Sequence, residues 1–167
     1  MGLSSELKDW DGKSADQISM IFDRYNTDPD FLNAITDLLQ VTSLQSGASW
    51  LLKRYLELGA AICASKVSFV YERLDGGMHW EARLHLLQSM DYMPITDADR
   101  DRVNRFLRLQ ITDKNKFVRA WSYNGLYLLA KQHAQYQDEV AEMLAKAMLD
   151  EAASVKSRIR NLLKKGF

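Results

Sequence analysis

Apolar residues recur at intervals of three and four along most of the chain, and sustained two-residue alternation is almost absent. This spacing puts apolar side chains on one face of an α-helix, whereas a half-buried strand would alternate. The pattern predicts an all-α protein, with nine helices joined by short turns. The clearest stripes are Phe31, Ile35, Leu38 and Leu39; Val67, Val70, Tyr71 and Leu74; Val103, Phe106 and Leu107; and Val140, Met143, Leu144 and Met148.

Helix start and stop signals lie between these stripes. Ser14 and Gln17 form a capping box, in which the serine hydroxyl accepts a hydrogen bond from a backbone N–H of the first turn. Asp28 is predicted to cap a helix whose first residue is Pro29, because the N–H that proline lacks would be unpaired there. Gly76-Gly77 predicts a helix end.

A short motif recurs at an offset of 37 or 38 residues. In three copies an aspartate precedes a larger apolar residue by five positions, and further inward positions follow at helical spacing. A fourth copy starts at Ser46 if the alignment is shifted by one residue from the register that pairs Trp50 with Trp80. This shift turns Leu51, Tyr55 and Leu58 inward. The recurrence predicts repeated helix pairs. The inward positions of the other copies are Trp80, Leu84 and Leu87 after Asp75; Val118, Ser122 and Gly125 after Asp113; and Val155, Ile159 and Leu162 after Asp150.

The segment from Asp113 to Leu126, DKNKFVRAWSYNGL, resembles a HEAT repeat of the armadillo-like family. The resemblance implies a right-handed α-α superhelix of about four HEAT-like helix pairs over residues 29–165, with an additional N-terminal helix over residues 15–24. It also implies that the aspartate and basic residues of the motif form polar ladders between neighbouring repeats. Stacking of the pairs would then bury the apolar face that each pair is too thin to bury alone.

The composition fits one folded domain: of 167 residues, 47% are hydrophobic and 26% are charged. Residues 1–13 precede the first helix signal, so we expect a poorly ordered segment there and a single domain over residues 14–167. Lys and Arg balance Asp and Glu at 22 each, so no net charge attracts a nucleic acid or a membrane. The charge is uneven, however, because residues 1–50 carry −5 and residues 151–167 carry +4.

Localisation is predicted from what the chain does not contain. No apolar run approaches the ~20 residues of a membrane span, and the first residues contain no apolar signal-peptide core. Cys63 is the single cysteine, which excludes an intrachain disulfide and fits a reducing compartment. We therefore expect a cytoplasmic protein with no membrane partner.

No catalytic or cofactor motif was found. The acidic segment Asp97–Asp101 superficially resembles a calcium loop, but Arg102 and Arg108 occupy the positions that need glycine and glutamate. His79, His85 and His133 do not have metal-ligand spacing. The sequence predicts no metal and no cofactor, and it favours a binding protein over an enzyme.

Tryptophans and cations interleave in the second helices of the predicted repeats, which line the concave face of a HEAT superhelix. Such a surface can bind a peptide or stack on nucleic-acid bases. The alternative is packing between repeats, which the repeat register favours for Trp80 and Trp121. The candidate partner-binding residues are Trp50, Lys53, Arg54, Trp80, Arg83, Arg119 and Trp121.

The functional hypothesis is a HEAT-like scaffold that binds a protein or peptide partner through its concave face. An alternative is a nucleic-acid-binding protein resembling the HEAT-like alkylpurine DNA glycosylases, although the aromatic–carboxylate pair of that family has no counterpart here. A further alternative is head-to-tail self-association of the acidic and basic ends of the chain. The basic end contains Lys156, Arg158, Arg160, Lys164 and Lys165, which also suit the end of a terminal helix.

Overall fold

The computed structural model describes residues 2–167, and within them every regular element is a helix, so the predicted all-α class is confirmed. Short 3-10 helices lie at Thr42–Leu44, Arg73–Gly76, Met90–Tyr92 and Ala134–Tyr136. The α-helices are α1 (Leu3–Asp9), α2 (Ala15–Tyr25), α3 (Phe31–Leu38), α4 (Gln45–Glu57), α5 (Ala64–Glu72), α6 (Trp80–Ser89), α7 (Arg100–Gln110), α8 (Lys116–Gln132), α9 (Gln137–Asp150) and α10 (Ala153–Lys165).

Helix α1 is the element that the periodicity did not predict, and it lies in the segment that was expected to be poorly ordered. Leu7 is buried on α1 and lies against Gly47 of α4. The Tyr25 hydroxyl donates a hydrogen bond to Glu6 Oε1 at 2.8 Å, and Trp10 Nε1 donates to the Ser14 carbonyl at 2.9 Å. These tertiary contacts order a helix that is too short to be stable alone.

The predicted helix starts near Ser14 and Pro29 agree with the structure to within about two residues, whereas α5 ends at Glu72, four residues before the predicted stop at Gly76. Ser14 caps α2, its hydroxyl accepting a hydrogen bond from Gln17 N at 3.1 Å. Helix α3 begins at Phe31 rather than at Pro29, because Asp28 Oδ1 accepts from Asp30 N at 2.9 Å and forms a turn ahead of the helix. Gly77, with φ of 69°, ends the 3-10 turn that follows α5.

The chain divides into two compact units, Met1–Tyr92 and Met93–Phe167, and the single domain over residues 14–167 stays a prediction. The boundary lies beside Pro94, whose ring excludes a helical continuation. In the first unit α4 packs against α3 and α6; in the second, α8 packs against α7 and α10. The superhelical stacking of the helix pairs stays a prediction.

The repeat register is correct in the second unit. The inward positions predicted after Asp113 and Asp150 are buried in α8 and α10. Ser122 donates its hydroxyl to the Val118 carbonyl at 2.6 Å, which satisfies a polar group inside the helix pair.

The register is wrong at two positions of the first unit. Trp80 was placed inward, but it is 40% exposed on the first residue of α6, and the helix buries Ala82, Leu86 and Leu87 instead. Leu58 was also placed inward, but α4 ends at Glu57 and Leu58 is 60% exposed. The spacing was transferred from the second unit, whereas these helices begin and end at different points relative to the motif.

Candidate functional site

The candidate partner-binding residues are distributed over both units. Trp50, Lys53 and Arg54 lie on α4, and Trp80 and Arg83 lie on α6. These five belong to the first unit. The other two, Arg119 and Trp121, lie on α8 in the second unit.

On α4 the candidates share one face, since they are three and four residues apart. Trp50 and Lys53 are half-buried, and Arg54 is exposed. Lys53 Nζ forms an ion pair with Glu57 Oε1 at 3.0 Å, one helical turn further on. One aromatic ring and two cations therefore border the same surface of this helix.

On α6 the candidates point away from α4. His85 faces α4, because its Nδ1 lies 2.9 Å from Ser49 Oγ. At about 100° per residue, Trp80 lies about 140° and Arg83 about 160° around the helix from His85. Arg83 Nε donates instead to the Met78 carbonyl at 3.2 Å. The structure does not bring Trp80 and Arg83 next to the aromatic–cation face of α4.

A polar seam between α4 and α6 was not predicted from the sequence. Ser49 Oγ donates to the Ser46 carbonyl at 3.1 Å, so His85 Nδ1 is the donor in the Ser49–His85 hydrogen bond. Burial, followed by the charge of Lys53, lowers the pKa of His85 from 6.5 to about 4. The imidazole is therefore neutral at physiological pH. The sequence feature that could have indicated this contact is the pair Ser46 and Ser49, which lie three residues apart and so on one face of α4.

A second imidazole, that of His79, lies next to Ser46 between α4 and α6, beside a surface pocket. His79 Nδ1 accepts a hydrogen bond from Glu81 N at 3.4 Å and lies 3.3 Å from Ser46 Oγ. A serine next to a histidine resembles the start of a hydrolytic site. Here the same nitrogen caps α6, so its lone pair serves the helix rather than a reacting hydroxyl. The pocket, of about 460 Å³, is lined by Leu7, Lys8, Trp10, Asp11, Gly12, Lys13, Thr42, Ser43, Leu44, Ser46, Gly47, His79 and Glu81.

In the second unit Arg119 is held by a bidentate ion pair. Its Nε lies 2.9 Å from Glu151 Oε1, and its Nη2 lies 3.1 Å from Glu151 Oε2. Its Nη1 donates to the carbonyls of Asp113 and Lys114 at 3.0 and 3.2 Å. The guanidinium thereby ties the start of α8 to the turn before α10. The HEAT resemblance implied a ladder through the motif aspartate; here the carboxylate comes from Glu151, and Asp113 contributes its carbonyl.

Trp121 is also used within the unit. The Arg158 guanidinium lies 3.7 Å from the centre of the Trp121 ring and joins α8 to α10 by a cation–π contact. Packing, the alternative that the register favoured, is what the structure shows for this tryptophan.

A cavity of about 480 Å³ lies beside the Arg119–Glu151 ion pair. Its apolar lining comes from Ile111, Tyr123, Met143 and Ala147, and its polar lining from Thr112, Arg119, Lys146, Asp150 and Glu151. Burial, followed by the charge of Glu151, raises the pKa of the Tyr123 hydroxyl, which is therefore protonated at neutral pH.

Helices α7, α8 and α9 each expose one large apolar side chain. Leu109 on α7 is 68% exposed, Phe117 on α8 is 54% exposed and Leu149 on α9 is 79% exposed. Thr112, which lines the cavity, donates its hydroxyl to the Leu109 carbonyl at 2.7 Å. None of these three side chains is among the residues that line the cavity, and single exposed apolar residues are ordinary on a protein surface.

The acidic segment that resembled a calcium loop is occupied by internal partners. Asp97 lies 3.3 Å from Arg100 and 3.5 Å from His133, and Asp99 accepts from the Thr96 hydroxyl at 3.1 Å. Among the described residues, no three or more His, Cys, Asp or Glu side chains are grouped to hold a metal ion. Nor does any described helix have the length and apolar character to cross a membrane.

Comparison with known protein families, with curated proteins and with solved structures finds no match to this chain. The HEAT resemblance therefore rests on the sequence motif and its spacing.

Proposed function

We propose that this chain is a HEAT-like helical-repeat protein that binds a protein or peptide partner, and that the partner docks at the cavity of the second unit. The observation that carries the proposal is the cavity of about 480 Å³, which combines the apolar side chains of Ile111, Met143 and Ala147 with the Arg119–Glu151 ion pair. Arg119, one of the candidates from the sequence, forms part of its wall.

The role of Arg119 in this proposal is to position the cavity walls. Its donors are taken up by Glu151 and by two backbone carbonyls, so it does not need a ligand to satisfy them. Walls fixed before binding reduce the ordering cost of association. The affinity then comes from apolar burial by the partner, at about 25 cal/mol per Å² before the costs of association.

Site-specific photo-crosslinking tests this proposal. A photoreactive phenylalanine analogue replaces Thr112, which is exposed at the cavity, and the full chain is irradiated in its native cell extract. We expect a discrete adduct that disappears when Met143→Asp, which places a charge on the apolar lining of the cavity, is added. The same analogue at Lys165, an exposed site outside the cavity, is the control. Equal adducts from both positions, or none from Thr112, would overturn the proposal.

Nucleic-acid binding remains the second candidate because the second unit carries fourteen bases against nine acids. Several of these bases are engaged: Arg102 lies 3.6 Å from Asp99, and Arg108 lies 2.7 Å from Glu139. Arg105 and Arg160 are exposed. Titrating duplex and single-stranded DNA at low and moderate salt tests this candidate, since phosphate contacts make affinity fall steeply with salt. No binding at low salt excludes it.

A further inference from the structure

The outward face of α10 carries a row of cations and no acid. The helix contains no aspartate or glutamate at any position. Lys156, Arg160 and Lys164 follow one another at intervals of four residues, so each lies about 6 Å further along the helix axis and is turned by about 40° from the one before. Arg160 and Lys164 are exposed, and Lys156 is half-buried. The three side chains therefore form one continuous cationic stripe.

This stripe is unfavourable for the helix that carries it. Like charges four residues apart repel each other. Lys156 also lies in the first turn, where the positive end of the helix dipole opposes a cation, and no acidic residue or side-chain cap offsets it there. Only Lys164, in the last turn, suits the dipole.

The stripe is not neutralised within the part of the chain that the structure describes. No carboxylate in residues 2–167 forms an ion pair with Lys156, Arg160 or Lys164, whereas Arg108 and Arg119 of the same unit each have one. The positive charge of the stripe is therefore directed to solvent and to whatever binds from it.

The buried face of α10 decides which polyanion fits. Val155, Ile159 and Leu162 are buried, and the helix packs against α8. A helix that lies in a membrane surface inserts its apolar face among the lipid chains, and here the fold already covers that face. Ser157 and Asn161 are exposed beside the cations. Lysine, arginine, serine and asparagine side chains are groups that contact nucleic-acid phosphates.

We propose that α10 binds the phosphate backbone of a nucleic acid through the stripe of Lys156, Arg160 and Lys164, without reading the base sequence. This inference goes beyond partner binding at the cavity, because no residue of α10 lines the cavity. Three phosphate contacts to duplex DNA give a slope of about −2.7 for log K against log salt concentration. The affinity then falls about fortyfold between about 0.05 and 0.2 M salt.

Fluorescence anisotropy on the full chain tests the inference, with labelled duplex DNA, single-stranded DNA and single-stranded RNA, each in two unrelated sequences. The variant is Lys156→Gln/Arg160→Gln/Lys164→Gln, since glutamine is also a good helix former. We expect it to bind at least about tenfold more weakly at low salt, with a slope for duplex DNA that is shallower by about 2.7. The two sequences of each probe should bind wild type equally. Thermal unfolding should show a variant at least as stable as wild type, because the repulsion within the stripe is gone.

Arg105→Gln/Lys114→Gln/Lys116→Gln is the matched control, because it removes one arginine and two lysines at exposed positions of the same unit outside α10. It should stay within about threefold of wild type. Equal losses in both triple variants, or no loss in the stripe variant, overturn the inference and leave nucleic-acid binding elsewhere on the chain standing. A stripe variant that is less stable than wild type shows that the cations serve the fold and also overturns it.

Competing polyanions complete the test. Vesicles of anionic phospholipid and polyglutamate are compared with the nucleic acids at equal negative charge, and we expect both to bind more weakly. Tighter binding of the vesicles assigns the stripe to a membrane surface, and tighter binding of polyglutamate assigns it to an acidic protein; either result overturns the inference. If wild type binds no nucleic acid at low salt, the inference and the nucleic-acid candidate both fail, and the proposal for the cavity is unaffected.

Discussion

Arg119 illustrates how a single side chain can be identified correctly as important and still be given a wider role than the structure shows. The sequence predicted a cation near the start of a second helix, and the structure places it there. What the sequence could not predict is its partner, because Glu151 follows a different helix, 32 residues further along the chain. The guanidinium therefore connects the start of α8 to the end of α9 through an ion pair. Its role in binding a partner stays a prediction.

Removing this ion pair should destabilise the protein. The side chain of Glu151 is only 12% exposed, so Arg119→Ala leaves a poorly solvated carboxylate without its partner. We expect a loss of about 2–3 kcal/mol in the free energy of unfolding, measured by urea denaturation. The double variant Arg119→Ala/Glu151→Ala should lose less than the single variant, because no charge is stranded. A single variant as stable as wild type would contradict this interpretation.

His85 predicts a specific pH dependence of stability. Its pKa is about 4 in the folded protein against 6.5 as the ordinary value, so between these pH values the unfolded chain binds a proton that the folded chain does not. The contribution of His85 to stability is therefore present above pH 6.5 and is lost as the pH falls to about 4, with an upper limit of about 3 kcal/mol. Urea denaturation at pH 7 and pH 4.5 measures it.

His85→Gln is the control for this pH effect, because glutamine can donate a hydrogen bond to Ser49 and does not titrate. Carboxylates contribute equally in both proteins, so the difference between them isolates the imidazole. We expect wild type to lose more stability on acidification than the variant. Parallel pH profiles would show that His85 is solvated as an ordinary histidine.

Among the elements, the long periodic helices were predicted and the short one was missed. Helices α7 to α10 bury most of the predicted stripe residues, with Met143 and Met148 of α9 half-buried, because apolar spacing decides which face turns inward. Helix α1 has only 7 residues, and its order depends on residues far away in the chain. The predicted burial of Trp80 was wrong for a related reason, because it depends on where α6 begins.

Gly47 controls how α1 docks on α4. A Cβ at this position would lie 2.8 Å from Leu7 Cδ2 and 3.4 Å from Trp10 Cε3, so a branched side chain must displace the Leu7 side chain from its contact with α4 and weaken the docking of α1. We expect Gly47→Val to increase the amide hydrogen exchange of α1 while α4 stays protected. Gly76→Val is the matched control, since nothing lies within 4 Å of its Cβ and exchange in α1 should not change. Equal protection of α1 in all three proteins would contradict the docking role.

Over the whole molecule, the balanced charge conceals two units of opposite sign. Residues 1–92 carry thirteen acids and eight bases, and residues 93–167 carry nine acids and fourteen bases. The sequence had already indicated this asymmetry at its ends. The cavity of the second unit was beyond sequence reasoning, because the turn after α7, helix α8 and helix α9 with its C-cap Glu151 each contribute lining residues and only the fold brings them together.

This asymmetry predicts self-association that depends on salt. At about 0.01 M salt the screening length is about 30 Å, so the acidic unit of one copy attracts the basic unit of another, and at 0.15 M it shortens to about 8 Å. We expect the mass from light scattering to rise with protein concentration at low salt and to remain monomeric at 0.15 M. The variant Lys164→Glu/Lys165→Glu should reduce the rise. A constant monomer mass at low salt would remove head-to-tail association.

Arginines make most of the ion pairs in the second unit. Arg100, Arg108 and Arg119 contact carboxylates, and Arg158 contacts a ring. Most exposed cations are amines instead, and lysine, unlike arginine, is neutralised by acetylation. An acetyltransferase would therefore erase most of the outward positive charge of this unit without loosening the guanidinium contacts that join its helices. The exposed amines are Lys114, Lys116, Lys131, Lys146, Lys164 and Lys165.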